Sequence, residues 1–88
     1  MVTDKKLEVL GKIRDYIRTI DNSAVVEIED ASEKELVANF YINGFDAFMI
    51  SEIQNIAKKD GYKVSFNVEP YSSIVLKLVI VLSEVSEK

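Results

Sequence analysis

The side chains that most often move protons or attack substrates near neutral pH are missing here: the 88-residue chain holds neither histidine nor cysteine. That removes imidazole acid–base chemistry, thiolate nucleophiles and any disulfide framework. The sequence also holds no glycine-rich phosphate loop and no nucleophile motif. The densest run of reactive side chains is Glu27-Ile28-Glu29-Asp30-Ala31-Ser32-Glu33-Lys34-Glu35. Carboxylates at this density suit a hard cation or a basic protein surface. The run lacks the central glycine and the oxygen-ligand spacing of a calcium loop, so neither a metal nor a cofactor is expected. Its simplest reading is a solvated hairpin tip. Paired carboxylates or a serine–lysine pair need only proximity in space, and no spacing singles one out. The chain therefore reads as a non-enzyme.

Charge is unevenly spread. The net charge is −4, yet residues 1–20 carry five Lys/Arg against three Asp/Glu, residues 21–46 carry one against seven, and residues 47–88 balance five against five. The acidity belongs to the first hairpin, where it disfavours a nucleic-acid backbone as partner. Apolar residues make up 48% and charged residues 30%, an ordinary globular composition for a single domain over residues 1–88. No apolar run is long enough to span a bilayer, and Met1-Val2-Thr3-Asp4-Lys5-Lys6 has no signal-peptide core, so the expectation is a cytoplasmic protein with no membrane partner.

The elements that must position these groups follow from periodicity. Thr3 and Asp4 suit a helix cap, and Leu7, Leu10, Ile13, Ile17 and Ile20 recur at helical spacing with Val9 and Tyr16 beside them, giving α1 up to about residue 20. Glu8 stands four residues before Lys12, a favourable helical pair, and Gly11 weakens the helix unless it permits close approach to a sheet. Ala24–Glu29 alternates as β1, with Ala24, Val26 and Ile28 inward and Val25, Glu27 and Glu29 outward. After a polar connector at 30–34, Glu35–Asn43 forms β2, with Leu36, Ala38, Phe40 and Ile42 on the core face and Val37, Asn39 and Tyr41 opposite. Asn43 or Asp46 caps α2, whose stripe is Phe45, Phe48, Met49, Ile53, Ile56 and Ala57, and Lys58-Lys59-Asp60-Gly61 closes it. Tyr62–Glu69 alternates as β3, with Tyr62, Val64, Phe66 and Val68 inward.

The last strand, β4, constrains the fold most. Ser73–Ser83 puts Ile74, Leu76, Leu78, Ile80 and Leu82 on one face and Val75, Lys77, Val79 and Val81 on the other. A strand apolar on both sides belongs in the middle of a sheet. Residues 84–88 then read as a frayed tail. The order αββαββ is what a ferredoxin-like βαββαβ unit becomes when its first strand moves to the C-terminus. The expected fold is thus an α+β two-layer sandwich, with an antiparallel sheet in the order β3-β4-β2-β1 and both helices on one face.

That architecture leaves one face of the sheet open, with Val25, Val37, Asn39, Tyr41, Val75, Lys77, Val79 and Val81 on it. A contiguous apolar patch of this kind marks an interaction surface, and back-to-back stacking into a homodimer is the first expectation. Lys77 is placed to hydrogen-bond Tyr41 or Asn39 across such an interface, its stem lying over the valines. Only Tyr41 offers an aromatic ring there, too few for an RNA-stacking sheet. The sequence reads as a small acidic interaction or regulatory module. One alternative is an inhibitor of the phage or viral type, whose acids Glu27, Glu29, Asp30, Glu33 and Glu35 mimic nucleic-acid phosphates against a basic host protein. Another is a small-molecule sensor with ligand held between protomers.

Overall fold

The computed structural model describes residues 2–32 and 34–85. The elements are α1 (Val2–Ile20), β1 (Val25–Ala31), β2 (Glu35–Ile42), α2 (Ala47–Lys59), β3 (Tyr62–Pro70) and β4 (Leu76–Glu84). All neighbouring strands are antiparallel, in the order β1-β2-β4-β3, with β4 between β2 and β3 as its two-sided apolar pattern requires. Leu36, Ala38, Phe40 and Ile42 of β2 and Leu78, Ile80 and Leu82 of β4 are fully buried with Val9, Ile13 and Ile17 of α1 and Ile53 and Ala57 of α2. Both helices therefore lie against one face of an α+β sandwich.

Helix ends follow local chemistry. The Asp46 carboxylate accepts the Met49 amide at 3.0 Å and starts α2. At the other end, Gly61 takes a φ of +84°, a left-handed conformation that glycine adopts without cost, and turns the chain directly into β3. Asp60 then accepts Lys12 at 2.9 Å, with Lys5 at 3.6 Å, joining the two helices. Lys12 thus reaches across to α2, beyond the Glu8 pairing expected within α1.

Several sequence expectations need correction. Thr3 and Asp4 lie inside α1, not at its cap, because the helix begins at Val2. The buried stripe of α1 is Lys6, Val9, Leu10, Ile13 and Ile17, leaving Leu7 and Ile20 exposed. Lys6 is only 1% exposed, and its Nζ donates to the Ser32 carbonyl at 2.8 Å, tying α1 to the tip of the first hairpin. Gly11 makes no close approach to the sheet: a Cβ there would meet nothing nearer than the Arg14 guanidinium at 3.8 Å. On α2 the stripe centres on Met49, Ile53 and Ala57, and Phe48, one residue around the helix, is 70% exposed.

The strands also differ at their ends. β1 continues through Asp30 and Ala31, with a bulge between Ile28 and Asp30, and Ile28 is exposed on this edge strand. β4 starts at Leu76, because the Tyr71 and Ser72 amides both donate to the Val75 carbonyl at 3.0 Å and hold residues 71–75 as a turn. Ile74, expected in the core, is 74% exposed on that turn, and Val68 on the facing strand end is exposed too. At the far end β4 runs on to Glu84, and the Val85 amide donates to the Gly61 carbonyl at 3.1 Å, so neither residue frays; residues 86–88 lie outside the described residues.

Candidate functional site

Directly paired residues on antiparallel strands share a face. The register therefore lays out the face away from the helices in rows. Val25, Tyr41, Lys77 and Glu69 form one row, Glu27, Asn39, Val79 and Asn67 the next, and Asp30, Val37, Val81 and Ser65 a third. Val37, Val79 and Val81 are half-buried and adjacent across β2 and β4, an apolar centre flanked by polar residues on β1 and β3. Of the eight residues expected on this face, seven sit on its strands; Val75 belongs to the turn before β4. Lys77, half-buried, lies beside Tyr41 on one strand and Glu69 on the other.

The bulge shapes the acidic flank. It inserts Glu29 as an extra residue, so that Glu27 and Asp30 both pair onto the open face, opposite Asn39 and Val37. The carboxylates are not all loose tips. The Tyr41 hydroxyl donates to Glu27 Oε1 at 2.9 Å, and Asn39 Nδ2 donates to Glu29 Oε1 at 3.2 Å. The donation to Glu27, followed by burial and the Glu27 charge itself, pushes the Tyr41 phenol above its ordinary value and keeps it neutral. Asn39 is only 3% exposed, and its Oδ1 has no hydrogen-bond partner among the described residues. Glu35 is exposed at the far end of β2, and Glu33 lies outside the described residues. Among the described residues no cluster of carboxylates is arranged to hold a metal ion, and no helix is long and apolar enough to cross a membrane.

One end of the open face carries a depression of ≈ 480 Å³. Its walls include Tyr41, Tyr71, Val25 and Val75, with Glu27 at one side. The Tyr41 and Tyr71 rings are 4.8 Å apart and tilted by 58°. Tyr71 reaches this position because the 71–75 turn folds back on its own carbonyl, as described above. The rim is fixed by Asp21, whose carboxylate accepts the Ser23 hydroxyl at 2.6 Å, the Ser23 amide at 3.1 Å and the Asn43 amide at 2.9 Å. The hydrogen bond from the Ser23 hydroxyl, then that from the Asn43 amide, holds Asp21 below the usual carboxylate range. Period-two alternation ends β3 at Glu69 and begins β4 at Ser73, so Tyr71 falls between the strands and is assigned to neither face. The available signal was a lone aromatic one residue beyond a strand end, whose neighbour across the hairpin depends on loop length.

Comparison with protein-family models, curated proteins and solved structures finds no match for this chain.

Proposed function

We propose that this chain is a non-enzymatic binding module that self-associates by stacking the open faces of two sheets. One observation carries the reading: Val37, Val79 and Val81 form an adjacent apolar centre on the face away from the helices. A two-fold axis along the strands would lay β1 over the partner's β3. The acids Glu27 and Asp30 would then meet the amide and hydroxyl side chains at positions 67 and 65 instead of each other, and Tyr41 would meet the ammonium at position 77. The footprint is modest. Four strands spaced about 4.8 Å apart and about 27 Å long cover on the order of 500 Å². A standard interface buries about 800 Å² per partner. A reversible, concentration-dependent dimer follows.

Light scattering over a concentration series tests this. The wild type is expected to move from monomer to dimer mass, and Val79→Glu to stay a folded monomer throughout. A wild type still monomeric at about 1 mM, above the Kd of even a weak specific complex, would refute the reading. So would a Val79→Glu variant that dimerises as well as the wild type.

A further inference from the structure

The depression at the end of the open face has a chemistry of its own. Two aromatic rings with centroids 4.8 Å apart form a wedge, Val25 and Val75 add aliphatic walls, and the Glu27 carboxylate stands at the side with one oxygen engaged by Tyr41. Apolar walls favour a hydrocarbon stem. Ring faces attract a cation within about 6 Å, and a carboxylate with free lone pairs fixes its direction. Glu29 is hydrogen-bonded to Asn39 one row away on the same face, and Glu69, which accepts Asn67, stands across the strands from the Lys77 cation. An anion would be repelled here, and a neutral group would leave the carboxylate unused.

We propose that this depression is a binding site for an arginine side chain presented by a partner protein, its guanidinium stacked on Tyr71 and Tyr41 and paired with Glu27. Arginine fits better than lysine, because a planar guanidinium can stack on a ring and hydrogen-bond a carboxylate at the same time. The site is shallow and open at the sheet end, which suits a side chain carried on another polypeptide. Every wall comes from one chain, so the site is complete in the monomer. Because stacking of two open faces would cover Tyr41 and Glu27, arginine binding and self-association compete at this end of the sheet.

The test is an NMR titration of the isotope-labelled full chain, at a concentration where light scattering finds the monomer mass, with N-acetyl-arginine methylamide, its neutral isostere N-acetyl-citrulline methylamide, and agmatine. Saturable shifts are expected at Glu27, Tyr41 and Tyr71 with the arginine probe, at least about tenfold weaker with citrulline, as for loss of a charge-assisted contact. Glu27→Gln should weaken the arginine probe about tenfold, and Tyr71→Ala about fivefold, with the remaining spectrum unchanged. Equal binding of citrulline, an unaffected Glu27→Gln variant, or no saturable shift up to about 10 mM would overturn the proposal. Agmatine binding more than about tenfold tighter than the arginine probe would also overturn it, by assigning the site to a free amine.

Discussion

Strand β2 presents two faces of the same sheet that were built for different purposes. On one, Leu36, Ala38, Phe40 and Ile42 are sealed beneath two helices. On the other, Val37, Asn39 and Tyr41 stand beside Val79, Val81 and Lys77, with carboxylates along the edge strand. The covered face is purely apolar, and its geometry is set by close packing. The open face mixes valines with groups whose hydrogen bonds run along the face, Tyr41 to Glu27 and Asn39 to Glu29. The covered face holds the fold, while the open face has side chains arranged in advance of any partner. A single strand shows both because side chains alternate with a period of two.

Three substitutions or conditions can break or sharpen that contrast. Phe40→Ala removes a ring at the centre of the covered face and should cost about 3–5 kcal/mol, enough to unfold much of so small a domain. Urea denaturation measures it; a cost below about 1 kcal/mol would mean that the covered face is loosely packed. Asn39→Val is the counterpart on the open face. It removes a buried carbonyl oxygen that has no partner among the described residues, at the loss of one hydrogen bond to an exposed carboxylate. The expected result is a gain of up to about 1 kcal/mol in the same experiment. A loss instead would show that Oδ1 finds a partner in solution, water or protein.

The smallest effect is on acid stability. Asp21 and Asp60 are both held below the ordinary carboxylate value, Asp21 chiefly by the Ser23 hydroxyl and Asp60 chiefly by the Lys12 ammonium. Folded-state values below unfolded ones mean that these contacts contribute fully above the unfolded value of about 3.9 and are lost as pH falls through the folded values. The urea midpoint should therefore be level above about pH 5 and drop below about pH 4. Asp21→Asn and Asp60→Asn should each flatten that drop slightly, both groups being only partly buried at the surface. A drop of unchanged steepness in both variants would place the acid sensitivity elsewhere.

Much of the architecture was legible in the residues themselves. The doubly apolar run ending at Leu82 can be satisfied only at the centre of a sheet, and the strand order follows from that requirement. Lys58-Lys59-Asp60-Gly61 marks a helix end by charge and by the conformation only glycine takes easily, and the chain turns there. Phase errors arose where the pattern was broad. Apolar residues fall over about half of the circumference of α1, so periodicity alone could not tell that Leu7, at the margin of that arc, and Ile20, the last helical residue, stay exposed. Lys6 was invisible as a buried group because a lysine reads as solvent-facing until a carbonyl is found for it.

The candidate site divides in the same way. Period-two alternation by itself put Val37, Asn39, Tyr41, Lys77, Val79 and Val81 on one side of the sheet, because that depends only on strand geometry. The bulge beside Glu29, the turn that swings Tyr71 onto Tyr41, and the burial of Asn39 came from tertiary structure alone. Each depends on which residue of one strand stands opposite which residue of the next. A shift of one position there reverses the face of every side chain beyond it. Local sequence determines what a strand can present, and pairing between distant strands decides which of those groups meet.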